Sequence, residues 1–388
     1  MTSTGLLMEG PEKPHAGAVV DSRRVMIISC QSIRFLSMLV LLILLGEPAV
    51  LLGQTRNEKW KQCGGNDPDR TIVACSALIQ SGQDTGISLA AIFYDRGLAH
   101  AHKGDYDLAI NDYDQAIRLD ASLANAFDAR GVAYGHKHDY DHAIQNFDQA
   151  LRLNPNLADA YYSRGLTYRH KGDNDHAIED FNEALRINPS NAEVYYYRGR
   201  AYANKNDNDR AIQDCDEALR INPTYAAAFI LRGNAYVSKH NYDRAIQDFD
   251  RALQLNPASA DAFYNRARTY EFKGDYERSI PDFDQALQFQ PSDADSFYGR
   301  GLAYSHKGDY YRAIQDYNEA LRINPNYSSA LLNRRSAYAH EGDYLRAMAD
   351  YGRSLQLRFG ILGSAISLCI VGFAVALAFN FKRFRKQL

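Results

Sequence analysis

The chain has 388 residues, a formal net charge of -3 and 23% charged residues. This balance shows no excess of basic charge, which argues against nucleic-acid binding as the main function. The length alone would fit two or three globular domains, but a repeated sequence would override that expectation.

An apolar segment lies near the N-terminus. The sequence "FLSMLVLLILL" (35–45) follows Arg23, Arg24 and Arg34 and is short for a membrane span. Such a segment is typical of the h-region of a secretory signal, with a mediocre cleavage point near Gly53. We therefore expect residues 1–53 to be a signal peptide, or alternatively an uncleaved signal anchor or a buried core helix, and Met26 is an alternative start.

Residues 54–89 are predicted to cap the N-terminal end of the repeated region. The stretch "DPDRTIVACSALIQSG" (67–82) has the pattern of a single helix with Cys75 and Ile79 on one face. Cys63 lies 12 residues before Cys75, so a bridge between them would close a short loop and contribute about 3 kcal/mol. The alternative is two unpaired thiols. A disulfide would indicate an oxidising compartment, in agreement with a secretory signal.

The middle of the chain is a repeat. The sequence "YYSRGLTYRHKGDNDHAIEDFNEALRINP" (161–189) recurs as "FYGRGLAYSHKGDYYRAIQDYNEALRINP" (297–325). An arginine recurs every 34 residues, at Arg96, Arg130, Arg164, Arg198, Arg232, Arg266, Arg300 and Arg334. Eight units of 34 residues cover 90–361, and each unit is numbered below from position 1 to position 34. A period of this length predicts a solenoid of stacked units.

Each unit has the pattern of two helices. In the third unit, apolar residues at helical spacing stop at Gly172, which can adopt a left-handed conformation after a helix. Asp173 then suits the N-cap of a second helix. Asn188 and Pro189 end that helix, because proline disfavours the helical conformation of the residue before it. Each unit is therefore predicted to be a helix hairpin.

This pattern resembles the tetratricopeptide repeat. The family motif has a bulky residue at position 4, small residues at 8, 20 and 27, aromatic residues at 11 and 24, and proline at 32. The third unit supplies Tyr161, Gly165, Ala177, Ala184, Tyr168, Phe181 and Pro189. Departures occur at Ala267 and Arg335 (position 8), His100 (11), Cys215 (24), and Ala121 and Phe359 (32). The resemblance implies an all-α, right-handed solenoid of antiparallel helix hairpins over residues 90–358.

Two charged positions recur in addition to this motif. Position 7 is arginine in all eight units, and position 23 is aspartate in seven of the eight. We interpret these residues as a ladder of Arg–Asp pairs that fixes the register of the two helices. The alternative is that both charges are simply solvated.

The resemblance also implies where a partner would bind, because position 5 of the first helix faces the concave groove in this family. That position carries Tyr94, Tyr162, Tyr196, Tyr264 and Tyr298, and position 9 adds Arg200, Asn234 and Arg268. Tyrosine and arginine are typical anchors of protein interfaces, so these residues predict a groove for a partner protein or peptide. Alternatively, the tyrosines only pack against neighbouring helices. Some family members bind a C-terminal carboxylate through Lys and Asn, and tyrosine here argues against that mode.

The C-terminal region has a different composition. Phe359–Phe379 are 21 uncharged residues, which as a helix span about 31 Å, the thickness of a bilayer core. A transmembrane helix is predicted at 359–380, and a polar capping helix is the less suitable alternative. The basic tail (381–388) is then expected in the cytoplasm, with the repeats on the opposite side, which is periplasmic in a bacterium. If the N-terminal signal is inert, the repeats are instead cytoplasmic with a tail anchor.

The sequence contains no motif typical of catalysis or cofactor binding, such as a glycine-rich phosphate loop, a nucleophile elbow or a CxxC pair. His102, His136, His170, His306 and His340 share position 13. Stacked helices are about 8 to 10 Å apart and metal ligands lie about 2 Å from their ion, so this row predicts no metal site. We therefore expect a non-enzymatic scaffold tethered to a membrane, for example in assembly of an envelope complex. The alternative is a non-catalytic accessory subunit of an enzyme complex.

Overall fold

The computed structural model describes residues 55–360, which form helices joined by short turns, without a strand in that range. Two helices come first, α1 (Arg56–Cys63) and α2 (Pro68–Ser81). The predicted signal (1–53), the basic tail (381–388) and nearly all of the predicted membrane segment lie outside the described residues. Within the described range, no helix is both long enough and apolar enough to span a bilayer.

Sixteen further helices within residues 55–360 form hairpins, each with a first and a second helix. The first helices are α3 (Gly86–His102), α5 (Ala124–His136), α7 (Ala158–His170), α9 (Ala192–Asn204), α11 (Ala226–Ser238), α13 (Ala260–Phe272), α15 (Ala294–His306) and α17 (Ser328–His340). The second helices are α4 (Tyr106–Leu119), α6 (Tyr140–Leu153), α8 (Asn174–Ile187), α10 (Asn208–Ile221), α12 (Tyr242–Leu255), α14 (Tyr276–Phe289), α16 (Tyr310–Ile323) and α18 (Tyr344–Phe359). Each second helix also packs against the next first helix, so the predicted all-α solenoid is confirmed over this range.

The turn inside each hairpin follows the sequence prediction. Helix α7 ends at His170, and Gly172 adopts a left-handed conformation with φ +83°. Asp173 caps α8, because its side chain accepts a hydrogen bond from the backbone N–H of His176. The second helix ends at Ile187, just before Asn188 and Pro189. In other hairpins His138, Asn206 and His240 occupy the left-handed position, with φ of 61°, 62° and 58°.

Small residues let the two helices of a hairpin approach closely. A Cβ added at Gly165 would lie 2.7 Å from Cε1 of Phe181, so the ring packs directly on the glycine backbone. The same contact joins Gly97 to Tyr113, Gly131 to Phe147, Gly233 to Phe249 and Gly301 to Tyr317. The small residues at positions 20 and 27 of the third unit, Ala177 and Ala184, are buried.

Two departures from the repeat motif are compensated by the next hairpin. Cys215 is smaller than the usual ring, and Leu231 of the following first helix reaches toward Gly199, 3.6 Å from where a Cβ on that glycine would stand. Ala267 adds a methyl group where glycine is usual, and the ring of Phe283 instead packs on Gly299 of the following hairpin. In both cases the residue that compensates stands at position 6 of the next unit.

The predicted arginine ladder is confirmed, and the alternative of solvated charges is wrong. The aspartates at position 23 are only 4 to 6% exposed. In the fifth hairpin, Arg232 Nε lies 2.9 Å from Asp248 Oδ2, and Nη2 lies 2.6 Å from Oδ1. The corresponding pairs are Arg96–Asp112, Arg130–Asn146, Arg164–Asp180, Arg198–Asp214, Arg266–Asp282, Arg300–Asp316 and Arg334–Asp350.

Each ladder arginine after the first also reaches the preceding hairpin, which the sequence analysis did not predict. Arg232 Nη1 lies 2.5 Å from Asp216 Oδ1 at position 25 of the previous unit. Equivalent bonds join Arg130–Asp114, Arg164–Asp148, Arg198–Asn182, Arg266–Asp250, Arg300–Asp284 and Arg334–Asn318. The guanidinium of Arg232 also lies 5.4 Å from the ring centroid of Phe229. The arginines therefore join hairpins to one another as well as the helices within each hairpin.

Four of the five histidines at position 13 have a packing role. His136 stacks on Tyr106 with ring centroids 4.6 Å apart, and His340 stacks on Tyr310 at 4.3 Å. Tyr140–His170 and Tyr276–His306 repeat this arrangement. Each pair joins the start of one second helix to the end of the next first helix.

Lysines at position 14 follow the same edge of the solenoid. Their partners are acidic residues at position 18 of the preceding unit, or Asp69 of α2 for the first lysine. The other pairs are Lys137–Asp107, Lys171–Asp141, Lys205–Asp175, Lys239–Asp209, Lys273–Asp243 and Lys307–Glu277. Between the last two units this ion pair is replaced: position 14 of the eighth unit is Glu341, and position 18 of the seventh unit is Tyr311.

The N-terminal cap is a hairpin of α1 and α2, whereas the sequence predicted only the second of these helices. A disulfide joins Cys63 at the end of α1 to Cys75 in α2. Both cysteines are fully buried, in a cluster with Leu78 and Ile92. The cap also joins the ladder, because Arg96 Nη1 donates to Ser76 Oγ at 3.0 Å. The first repeat helix begins at Gly86, inside the segment predicted as the cap.

Candidate functional site

The candidate site is the surface formed by positions 5, 9 and 12 of the first helices, called here the first-helix face. The tyrosines predicted at position 5 are all half-buried on this face. Four of them pack against a ring at position 24 of their own hairpin, with centroids 6.0 to 6.2 Å apart: Tyr94–Tyr113, Tyr162–Phe181, Tyr264–Phe283 and Tyr298–Tyr317. These tyrosines therefore have a packing role and also present part of their surface to solvent.

Tyr196 differs from the other position-5 tyrosines because Cys215 offers no ring beneath it. Its ring instead lies 5.1 Å from the ring of Tyr197 and 5.1 Å from that of Tyr225. Tyr162 of the preceding hairpin approaches the same group, 6.0 Å from Tyr197. The structure thus brings four tyrosines together between α7 and the start of α11.

Two arginines lie against these rings. The Cζ atom of Arg169 is 5.1 Å from the ring centroid of Tyr197, and Cζ of Arg200 is 5.9 Å from that of Tyr196. Arginine over an aromatic face is a favourable cation–π arrangement. The tyrosine–arginine cluster is defined here as Tyr162, Arg169, Tyr196, Tyr197, Arg200 and Tyr225.

The electrostatics of this cluster follow from its partial burial. Burial and then the neighbouring charge of Arg200 lower the pKa of Arg169. Burial raises the pKa of the Tyr196 hydroxyl, against the opposing effect of Arg200. Burial and a hydrogen bond with Glu193 raise the pKa of Tyr162. The hydroxyls therefore stay protonated at neutral pH and can both donate and accept hydrogen bonds.

A second group on the first-helix face lies farther along the array, and its charges are balanced internally. Arg268, at the same unit position as Arg200, forms a 2.6 Å ion pair with Glu271. Burial, opposed by Arg268, raises the pKa of Glu271 to about 7. Nearby, the hydroxyl of Tyr298 accepts a 2.9 Å hydrogen bond from Asn333 Nδ2. Asn234, in the hairpin between the two arginines, is exposed.

Asp128 stands at position 5 of the second unit, where most units have tyrosine. Its Oδ1 atom is buried without a hydrogen-bond partner in the described region. Burial, followed by the neighbouring charge of Asp159, raises the pKa of Asp128 to about 7. The first-helix face therefore carries a carboxyl group of raised pKa near α5 and two arginines between α7 and α9.

Only part of the cluster was predicted from the sequence. Tyr162, Tyr196 and Arg200 stand at the predicted positions 5 and 9. Arg169 at position 12, Tyr197 at position 6 and Tyr225 at position 34 were not predicted. A helical-wheel signal was present for Arg169, because position 12 lies three residues after position 9, on the same side of a helix.

Metal binding and cysteine catalysis are not supported by the described residues. Across residues 55–360, no three His, Cys, Asp or Glu side chains are grouped so as to hold a metal ion. Cys215 is buried, and burial raises the pKa of its thiol. A thiol with a raised pKa is a poor nucleophile near neutral pH.

Comparison with protein families matches this chain to tetratricopeptide repeats. Models described as TPR repeat or tetratricopeptide repeat match 97–137, 136–169, 165–206, 192–225, 230–294 and 294–327, together more than half of the chain. No curated protein sequence shows a significant match.

Solved structures show the same fold. A tetratricopeptide repeat protein from Parabacteroides merdae is 22% identical, with a TM-score of 0.51, over 64% of this chain and 98% of that chain. PilW, a type IV pilus biogenesis factor, is 24% identical, with a TM-score of 0.50, over 54% of this chain and 97% of that chain. At this level of identity the similarity concerns the fold alone.

Proposed function

Because the chain belongs to the tetratricopeptide repeat family, we propose that it is a non-enzymatic scaffold whose first-helix face binds a segment of a partner protein. The fold is suited to protein binding, and the tyrosine–arginine cluster is the observation that carries the proposal. Half-buried tyrosines supply large contact area at low entropic cost, and tyrosine and arginine are among the residues that dominate binding energy at interfaces. An extended segment or a helix of the partner would lie along the concave groove of eight 34-residue units.

We further propose that the scaffold is tethered to a membrane, with its repeats outside the cytoplasm. The apolar run at 359–380 supports a membrane span, and the basic residues at 381–388 support a cytoplasmic tail. The Cys63–Cys75 disulfide supports an oxidising compartment, such as the periplasm if the organism is a bacterium. In that location the scaffold would assist assembly of an envelope complex.

The binding proposal is tested with full-length protein purified in detergent and incubated with a membrane extract of the source organism. The wild type should retain a discrete protein, and the double variant Tyr196→Ala, Arg200→Ala should lose it. Two exposed residues of second helices, Arg220 and Tyr311, provide the matched double control Arg220→Ala, Tyr311→Ala. Retention by the binding variant equal to that of the control variant would contradict the proposal.

Topology is tested separately, with a reporter that is active only outside the cytoplasm. Fused after Asn324 it should be active, and fused after Leu388 it should be silent. Silence at both points would contradict the extracytoplasmic location and favour a cytoplasmic scaffold with a tail anchor. The binding proposal does not depend on this outcome.

A further inference from the structure

Arg169 and Arg200 belong to neighbouring hairpins and lie against the rings of Tyr197 and Tyr196, whose centroids are 5.1 Å apart. In the region 55–360, neither guanidinium has an Asp or Glu oxygen within ion-pair distance, whereas Arg268 at the equivalent position is paired with Glu271. The Nε atom of Arg169 is buried and has no hydrogen-bond acceptor among the described residues. An unsatisfied buried donor is costly, so an acceptor at this point would be strongly favoured.

The surroundings of the two arginines strengthen their effect on an anion. The rings of Tyr196 and Tyr197 lie against the guanidinium groups and exclude water from one side of them. Attraction between opposite charges grows as the local dielectric falls. Arginine keeps its proton near neutral pH, so the repulsion between the two cations persists until an anion is bound.

Glu193, an acidic residue near the cluster, forms no ion pair with either arginine. It stands at position 2 of the same unit as Arg200, beside Tyr162 and Tyr225; burial chiefly raises the pKa of both hydroxyls, and the charge of Glu193 raises it further. Glu193 is exposed. The site therefore has two cations and several hydroxyl groups, and among residues 55–360 neither guanidinium forms an ion pair with a carboxylate.

We propose that Arg169 and Arg200 together bind an aspartate or glutamate side chain within the partner segment. This inference rests on the proposed function and specifies the chemistry of its partner. A carboxylate matches the geometry of a guanidinium, which donates two parallel hydrogen bonds to it. Position 5 carries further tyrosines on both sides of the cluster, Tyr94 beyond Asp128, and Tyr264 and Tyr298 beyond Ile230, so a segment lying along the face would pass over the arginines. The acidic residue is accordingly internal to the segment and is not its C-terminus.

The test uses full-length protein in detergent and an array of random 12-residue peptides that are acetylated and amidated, so that no terminal carboxylate is present. Peptides selected by the wild type should be enriched in Asp and Glu. Fluorescence anisotropy then gives the Kd of the best peptide for the wild type, Arg169→Gln and Arg200→Gln. Each variant should weaken binding about tenfold or more, and raised salt should weaken the wild type most.

Two controls make the result specific. Arg220→Gln removes an exposed arginine of α10 and should leave the Kd unchanged. Replacing the acidic residue of the peptide by its amide should weaken wild-type binding at least as much as Arg200→Gln does, and the two changes together should cost little more than the peptide change alone.

The failures of the two proposals are distinguishable. The inference is overturned if the bound peptides are not enriched in Asp and Glu, or if their Kd is unchanged in both arginine variants. The proposed function would still stand in either case. Binding only by peptides of a second array, identical except that each peptide has a free C-terminal carboxylate, also overturns the inference. If the array yields no bound peptide and the extract yields no retained protein, both proposals fail.

Discussion

Arg232 and Asp248 form a two-point hydrogen bond between the helices of one hairpin, at 2.9 and 2.6 Å, while the same arginine bonds to Asp216 of the hairpin before. The carboxylate of Asp248 is almost fully buried. Because the arrangement repeats along the array, the ladder connects each hairpin to its neighbour. A rigid stack keeps the first-helix face in a fixed geometry.

Removing Arg232 should be strongly destabilising. Arg232→Ala leaves a buried carboxylate without its partner, which costs about 3 to 5 kcal/mol, whereas Asp248→Ala leaves the arginine bound to Asp216 and should cost less. In a double-mutant cycle on the thermal unfolding of the full chain, the pair should show a coupling of about 0.5 to 3 kcal/mol. Additive losses would contradict the ladder.

Two glycines of first helices should respond in opposite directions to the same substitution. Gly165→Ala places a methyl group 2.7 Å from the Phe181 ring and should cost about 1 to 3 kcal/mol. Gly135→Ala is the matched control, because nothing lies within 4 Å of the added atom, and it should gain about 0.5 to 1 kcal/mol from helix propensity. Equal changes in Tm for the two variants would contradict the packing described here.

Cys215 and Leu231 should be coupled, because the leucine reaches into the space that a ring occupies in other hairpins. Cys215→Phe alone should overpack this region and cost about 1 to 3 kcal/mol. Leu231→Ala alone should cost about 2 kcal/mol through the cavity it leaves. The double variant should be more stable than the sum of these losses predicts, as measured by Tm. A strictly additive double variant would show that the two sites are independent.

Asp128 should make stability depend on pH. Its carboxyl group keeps its proton up to about pH 7 in the folded chain, whereas its ordinary pKa is 3.8. The folded state therefore binds more protons between pH 4 and 7, and stability falls as pH rises, by at most about 1.4 kcal/mol per pH unit. Asp128→Asn should exceed the wild type in Tm at both pH 5 and pH 8, and by clearly more at pH 8, because the penalty on the wild type grows until pH passes about 7. An equal difference at both values would contradict the raised pKa.

Much of the fold could be predicted from this single sequence, because the period repeats local signals many times. Gly172, Asp173 and Pro189 define the turns, and the regular spacing of Arg232 and Asp248 indicated the ladder within a hairpin. These signals act between residues close in sequence or at fixed positions of one unit.

Contacts between hairpins were harder to predict. The compensation of Cys215 by Leu231 depends on which side chain the next helix brings into the gap, and a motif taken unit by unit does not contain that information. A signal existed for the stacked rings, since Tyr at position 17 is followed 30 residues later by His in Tyr106–His136 and Tyr310–His340. Between the third and fourth units, the same two positions carry Asn174 and Asn204, whose side-chain amides are hydrogen-bonded at 3.3 Å.

In the candidate site, too, residues at recurring positions of one unit could be predicted, whereas contacts between hairpins could not. Tyr162, Tyr196 and Arg200 could be selected because the family resemblance assigns positions 5 and 9 to the groove. Arg169 and Tyr197 belong to the same cluster only because neighbouring hairpins stack, with Cζ of the arginine 5.1 Å from the ring. Positions 5 and 9 alone do not include these two residues.

The most direct test of the central claim is photo-crosslinking from the first-helix face. The photoreactive residue p-benzoylphenylalanine replaces Tyr196 in the full-length protein, and in a control it replaces Tyr311, an exposed residue of second helix α16. After irradiation with membrane extract, position 196 should yield a discrete adduct with one partner protein and position 311 should not. Adducts from position 311 but none from position 196, or none from either, would contradict a scaffold that binds its partner through this face.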